Sequence, residues 1–275
     1  MLSELNAAGL DKVEVAIKRL QMFQPEEGYY LAFSGGKDSV CVKALADMAE
    51  VKYDAHYTVT TVDPPELVYF VKTFEDVSRD ITHYRNGDPV SMWNLIPRNK
   101  VPPTRLMRYC CRYFKERGNK RRFKVTGVRH AESTGRAKKR SGLELADRMK
   151  DKRDGYNPDE FIDPDNPDQG MIHVCQTKAQ RILNPIIDWS DEDVWEFIRR
   201  YDLKYCSLYD EGFKRLGCIG CPMADKGRKK QFERWSKYKN LYLISFDKML
   251  FERKKNNMET TWKDAEEVMD WWLSQ

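Results

Sequence analysis

Two groups of residues in this sequence have the types and spacing to do chemistry. The first is Ser34-Gly35-Gly36-Lys37-Asp38-Ser39, which follows the apolar run Tyr29-Tyr30-Leu31-Ala32-Phe33. The run reads as a strand, the glycine pair as a turn, and the residues from about Asp38 through Met48 as a helix. Glycines let the backbone approach an anion closely. The helix start adds unpaired N–H groups and the positive end of its dipole, Ser34 and Ser39 add hydroxyls, and Lys37 adds a charge. Such a turn binds phosphate. It is not a Walker P-loop, because Leu31 and Asp38 stand where that pattern needs Gly and Ser or Thr. The second group is thiols. Cys110 and Cys111 are adjacent, and Cys218 and Cys221 form a C-x-x-C beside Gly217, Gly220 and Pro222. Four thiolates in two close pairs can hold zinc or an iron–sulfur cluster, and zinc sites seldom draw adjacent ligands from a helix. Cys41 reads as core, and Cys175 and Cys206 as plain buried thiols, either of which can carry sulfur.

The elements that position these groups follow from periodicity and breakers. Leu10, Val13, Ile17 and Leu20 mark a helix from about Leu10 to Phe23 that covers one face of a sheet. A second strand is expected over Tyr53 to Val59, then Thr60-Thr61-Val62-Asp63 and a helix started by Pro64 or Pro65. A third strand is expected over Asp80 to Tyr84, and a short helix over Met92 to Ile96, stopped by Pro97. Pro102 and Pro103 enforce an extended approach to a helix from Thr104 to about Gly118. Phe123 to Val128 is the next strand, and Gly127-Val128-Arg129-His130-Ala131-Glu132-Ser133 leaves its carboxyl end. Residues 135–170 are polar, without a sustained period, and read as a long loop or lid; order resumes at Met171 to Val174. Ser190-Asp191-Glu192-Asp193 is a capping box opening a helix, and two amphipathic helices, roughly Lys229 to Lys254 and Trp262 to Leu273, follow. Alternating strands and helices imply an α/β fold with a doubly wound, mostly parallel sheet and a helical C-terminal extension, ligands lying at the carboxyl ends of the strands. Residues 1–205 are expected to form the nucleotide-binding domain, and 206–275 the C-x-x-C segment and helical extension.

With 275 residues, 33% charged and 41% hydrophobic, the chain can bury a full core. No apolar run approaches a membrane span, Met1 to Lys12 lacks the apolar centre of a signal peptide, and a cytoplasmic protein is expected. The net charge of +5 is modest but uneven. Basic runs occur at Lys115, Arg117, Lys120, Arg121, Arg122 and Lys124, at Arg136, Lys138, Lys139 and Arg140, and at Lys226, Arg228, Lys229, Lys230, Arg234, Lys237 and Lys239. They are either solvated faces or a surface for a polyanion. The third run interleaves with Phe232, Trp235 and Tyr238, which suits base stacking or, with Tyr242, the buried stripe of an amphipathic helix.

The Ser-Gly-Gly-x-Asp-Ser loop resembles the pyrophosphate loop of the N-type ATP pyrophosphatases, of adenine nucleotide alpha hydrolase-like fold. Cys-Cys followed at long range by Cys-x-x-Cys resembles the 4Fe-4S site of assimilatory adenylylsulfate reductases. Gly127-Val128-Arg129 with Glu132, Ser133 and Arg136, the block Asn184 to Trp195, and Tyr209-Asp210-Glu211-Gly212-Phe213 extend the resemblance to the phosphoadenylylsulfate (PAPS) reductase family over about residues 28–225. It implies that Ser34, Gly35, Gly36, Lys37 and Ser39 hold phosphates and that Asp38 helps place magnesium. Thr60, Asp63 and Gly127 would lie against the nucleotide, and Arg129 and Arg136 would neutralise charge on the alpha phosphate. Cys110, Cys111, Cys218 and Cys221 would hold the cluster. Two departures bear on activity. Sulfonucleotide reductases carry a catalytic Cys near the C-terminus, and no Cys follows Cys221 here; the loop also keeps the full form typical of ATP-cleaving members. The chain therefore resembles instead the relatives that use ATP and Mg2+ to adenylate a nucleic acid or similar acceptor and then insert sulfur, with a sulfur donor protein such as a cysteine desulfurase. A PAPS or adenylylsulfate reductase acting on a sulfonucleotide, and a non-catalytic nucleotide-binding subunit, are the alternatives.

Overall fold

The computed structural model describes residues 1–6, 8–116, 122–146, 180–224 and 227–275. In chain order the elements are α1 (Lys12–Met22), β1 (Tyr29–Ala32), α2 (Lys37–Met48), β2 (Tyr53–Thr58), α3 (Pro65–Lys72), β3 (Val77–Asp80), α4 (Met92–Asn99) and α5 (Tyr109–Cys111), which continues as a π-helical turn Arg112–Glu116. They continue with β4 (Lys124–Val125), α6 (Thr134–Lys139), β5 (Leu143–Ala146), β6 (Gln180–Leu183), α7 (Asp191–Arg200), α8 (Arg228–Arg234), α9 (Ser236–Lys255) and α10 (Ala265–Ser274). Two compact units, both discontinuous in sequence, are drawn from 1–57, 70–78 and 119–213, and from 58–69, 79–118 and 214–275.

The fold is α/β, with a six-stranded sheet of order β3-β2-β1-β4-β6-β5. β1 pairs in parallel with β2 on one side and β4 on the other, and β4 pairs in parallel with β6. Successive strands thus depart from β1 in opposite directions, and the carboxyl ends of β1 and β4 frame the crevice where such sheets take ligands. β3 lies earlier than expected, because Val77 is buried while Ile81 is exposed; His83 instead bridges Pro89 across a turn at Gly87. The segment read as a loop from 135 is ordered through 146. α6 is capped by Ser133, and β5 adds antiparallel to β6. Its polar residues satisfy one another: Arg140 meets Glu144 at 2.7 Å, and buried Asn184 donates to Glu144 at 2.7 Å and to the Ser141 carbonyl at 2.8 Å. The remainder of that stretch, the expected order at Met171 to Val174, and Cys175 lie outside the described residues.

The block from Asn184 to Trp195 is knitted to α1. Buried Arg19 donates to Asp188 at 2.9 and 3.3 Å and to the Pro185 carbonyl at 2.9 Å. Lys12 meets Asp193 at 2.6 Å, while Asp193 and Ser190 form the expected capping box on α7.

In the second unit, Pro97 lies inside α4 rather than ending it. A proline leaves the carbonyl four residues before it without its helical donor, and here the buried Ser245 hydroxyl of α9 donates to the Trp93 carbonyl at 3.4 Å. The helix expected from Thr104 starts only at Tyr109, after a turn in which the Met107 N–H donates to the Thr104 hydroxyl at 3.0 Å. The helix expected over Lys229 to Lys254 is two, broken where Trp235 leaves helical geometry and donates from its indole to Glu66 at 3.1 Å. Phe232, Trp235, Tyr242, Phe246 and Trp272 are buried, which corrects the base-stacking expectation for Phe232 and Trp235: they are core. Among the described residues no helix is long and apolar enough to cross a membrane.

This aromatic core grips the Cys-x-x-Cys turn. Gly220 has φ +72°, and a Cβ there would stand 2.7 Å from the Phe232 ring and 2.9 Å from Trp272. Its N–H donates to Gln231 Oε1 at 2.9 Å, and the Tyr242 hydroxyl donates to the Ile219 carbonyl at 3.0 Å. Gly220→Ala is expected to cost about 2 kcal/mol or more from left-handed strain and overpacking. Gly217→Ala, where a Cβ meets nothing within 4 Å, should cost well under 1 kcal/mol. Equilibrium denaturation of the two variants checks the difference.

Candidate functional site

The loop after β1 turns at Gly35, whose φ of +73° is a conformation that favours glycine. Gly36 is the N-cap of α2 and offers no side-chain cap, so the helix start is left to outside partners. Ser39 Oγ donates to the Gly36 carbonyl at 2.8 Å and accepts from the Ser34 N–H at 3.2 Å, tying the loop across its base. The Lys37 N–H donates to the Tyr209 hydroxyl at 2.9 Å. A Cβ on Gly36 would meet only Ser34 Oγ at 3.4 Å and the Tyr209 hydroxyl at 3.5 Å. The free loop therefore tolerates a side chain there, and what that side chain would take is the space above the N–H groups.

Below the loop four charged side chains alternate in sign. Lys37, 5% exposed, brings its ammonium to 3.1 Å from Asp191 and 3.8 Å from Asp38. Arg129, 1% exposed, donates to Asp38 at 2.7 Å, to Asp191 at 2.6 Å and to the Trp189 carbonyl at 3.2 Å. Desolvation works to raise the Asp191 pKa, but hydrogen bonds and charge from Arg129 and Lys37 prevail and hold it below the ordinary value. Its stabilising share is thus complete above the unfolded carboxyl pKa and is lost as pH falls through the lowered folded one.

Of the expected phosphate and nucleotide residues, Ser34, Gly35, Gly36, Lys37, Asp38, Ser39, Gly127 and Arg129 come together here. Gly127 acts through close approach: a Cβ on it would stand 3.0 Å from the Asp38 backbone. Arg136 pairs with Glu132 within the turn that follows β4. Thr60 and Asp63 belong to the other unit, where both are buried. Asp191 and Tyr209 were not singled out from sequence. Their signal was present in the Asn184–Trp195 block and in Tyr209-Asp210-Glu211-Gly212-Phe213, but a capping-box position masked the first and nothing local marked the second.

In the second unit Cys110, Cys111, Cys218 and Cys221 line a single pocket with Thr60 and Lys115, walled by Phe114, Pro222 and Tyr242. The π-helical turn directly after Cys111 widens the helix where Phe114 and Lys115 face this pocket, a local feature frequent at functional sites. Cys111 is held toward the thiolate by a hydrogen bond from Cys110, and by Lys115 and Arg108. Burial pushes Cys218 up to about 12, with Asp63 adding to the rise. The Lys115 pKa is in turn raised, by Cys218 first and then by Cys111 and Asp63, against the opposing effect of its own burial. None of the four is in a disulfide, and among the described residues no group of three or more His, Cys, Asp or Glu is arranged to hold a metal ion as the side chains stand. The donor set, four thiols facing one pocket with a cation beside them, is of the kind that ligates iron–sulfur clusters.

The phosphoadenosine phosphosulfate reductase domain matches residues 28–224. An uncharacterized protein of Methanocaldococcus jannaschii is 28% identical over 70% of this chain and 41% of its own. A phosphoadenosine 5'-phosphosulfate reductase of Gloeobacter violaceus is 38% identical over 26% of this chain and 32% of its own. The chain spans about two fifths of the length of the first curated relatives that it matches. Among solved structures, a U34-tRNA thiolase of Methanococcus maripaludis with its 4Fe-4S cluster superposes with a TM-score of 0.42 at 12% identity, over 93% of this chain and 85% of that one.

Because Arg129 is buried between two carboxylates, Arg129→Ala should destabilise the protein by about 3–5 kcal/mol through the charges it leaves unpaired. A denaturation midpoint equal to that of the wild type would show that the guanidinium is dispensable to the fold.

Proposed function

The chain belongs to the phosphoadenosine phosphosulfate reductase domain family, and from that premise we propose that it is an enzyme that activates an acceptor with ATP and delivers sulfur to it. The observation that carries this reading is the pocket where two cysteine pairs, far apart in sequence, face one another in a chain that also keeps a complete Ser-Gly-Gly-Lys-Asp-Ser loop. In the proposed reaction the loop N–H groups, Lys37 and Ser39 bind the beta and gamma phosphates with magnesium. An acceptor oxygen attacks the alpha phosphorus and pyrophosphate leaves. A thiol reductant cleaves the persulfide carried by a donor protein such as a cysteine desulfurase, leaving a disulfide and releasing sulfide, which attacks the carbon that bears the adenylate, and AMP departs with the oxygen. Cys110, Cys111, Cys218 and Cys221 would hold a 4Fe-4S cluster, which when bound would supply one-electron redox chemistry beside the sulfur-transfer site. Lys37 holds the transferred charge close to the loop, and Asp38 is oriented by Arg129. A reducing, cytoplasmic setting suits such thiolates.

The acceptor in this proposal is a nucleic acid. Lys229, Lys230 and Lys237 are exposed on α8 and the start of α9, whereas Arg228 is buried and Arg234 is paired with Glu66, so the lysines are what a polyanion would meet. The second reading, reduction of a sulfonucleotide with sulfite release, is favoured by the family itself and by the Gloeobacter violaceus relative.

Anaerobically prepared protein is expected to contain iron that is lost in Cys218→Ser, and to convert ATP to AMP and pyrophosphate in the presence of acceptor, with Lys37→Ala at least tenfold slower. Zinc in place of iron sinks the cluster, and sulfite release from a sulfonucleotide without ATP turnover replaces the first reading by the second. In a separate measurement, reversing Lys229 and Lys230 to Glu should weaken RNA or DNA binding and flatten its salt dependence without changing ATP affinity.

A further inference from the structure

We propose that the Tyr209 hydroxyl is a phosphate ligand, donating a hydrogen bond to the anion held above Gly36; this rests on the nucleotide reading of the loop. Tyr209 comes from a 3₁₀ turn (Ser207–Tyr209) far from the loop in sequence, yet its hydroxyl stands at the helix start. It accepts the Lys37 N–H at 2.9 Å, and among the described residues nothing takes its own proton. That proton has somewhere to go. The hydroxyl lies 3.5 Å from the point where a Gly36 side chain would begin, so it borders the space that the glycine leaves open. A phosphate oxygen in that space meets an O–H whose oxygen is already polarised by a backbone N–H, the arrangement in which hydrogen bonds reinforce one another.

The ring cannot swing freely. It packs edge-on against Trp195 at 5.2 Å between centroids and against Tyr205 at 6.4 Å, while the Lys37 ammonium lies 6.0 Å over its face. Burial, aided by Asp38, Cys206 and Asp191, raises the phenol's pKa, so at neutral pH it is a donor and not an anion that would repel phosphate. A hydroxyl that only plugged the loop in the absence of ligand would behave oppositely, because its removal would free the Lys37 N–H for the anion. The two roles therefore predict opposite signs.

The experiment is calorimetric titration of the full chain with ATP and with inorganic pyrophosphate, comparing wild type with Tyr209→Phe, alongside thermal melts. Phenylalanine keeps the ring and its packing, so the melting temperature is expected to stay within a few degrees. Loss of a hydrogen bond to a charged group should weaken both ligands by about tenfold or more. Unchanged or tighter binding in Tyr209→Phe overturns the inference while leaving the nucleotide site standing. No binding of either ligand by the wild type overturns the nucleotide reading itself. If Tyr209→Phe melts well below the wild type, the titrations are made well below its melting temperature, where affinity equal to that of the wild type also counts against the phosphate contact.

Discussion

A buried guanidinium is the constraint on which the first unit depends. Arg129 is 1% exposed, so the charge of its guanidinium must be answered inside the protein. Asp38 from the first turn of α2 and Asp191 from the first turn of α7 answer it, with the Trp189 carbonyl. Three segments are thereby fixed relative to one another: the start of the helix after the glycine loop, the segment leaving β4, and the start of α7. Gly127 is the steric consequence, since the chain leaving β4 passes too close to the Asp38 backbone to carry a side chain without displacement. Arg19 and Lys12 extend the same logic outward, tying α1 to the block around Asp188 and Asp193.

The charge ring also sets the terms on which the proposed site would receive an anion. Lys37 is not a free cation waiting in solvent; its ammonium already faces Asp191 and Asp38. In the proposed reaction an arriving phosphate would take a share of Lys37, while Asp191, whose same oxygen accepts from Arg129, would stay with the buried guanidinium. The start of α2 adds backbone N–H groups where the dipole favours negative charge, those of Gly36 and Lys37 already donating to the Ser34 and Tyr209 hydroxyls. Binding on these terms is an exchange of ion pairs on a preformed loop, which costs less reorganisation than ordering a flexible one.

The second unit solves a different problem with apolar packing. Its Cys-x-x-Cys turn needs a left-handed glycine, and the space beside Gly220 is filled by Phe232 and Trp272. Gln231 and Tyr242 satisfy the turn's backbone, and the Trp272 indole donates to the Pro103 carbonyl at 2.6 Å, reaching the segment that precedes Cys110 and Cys111. The helices that follow the turn are thus the packing that sets where one cysteine pair stands relative to the other, and their aromatic residues are spent on that core.

The sequence by itself determined the elements whose signals are local. The glycine loop, the helix after it, the capping box at Ser190 and the parallel α/β order follow from backbone geometry and period, which a short window contains. Both cysteine pairs were legible as ligand candidates for the same reason. Tertiary structure decided what depends on partners distant in the chain. β5 was hidden because a buried Glu144 looks like a loop residue until Arg140 and Asn184 are placed beside it. Pro97 looks like a stop in sequence because the Ser245 hydroxyl, which satisfies the carbonyl it orphans, comes from a helix far along the chain. Thr60 and Asp63 fell in with the cysteines, and Asp191 and Tyr209 with the loop, because burial and charge pairing are settled by which segments meet in space, and a one-dimensional pattern carries no record of that.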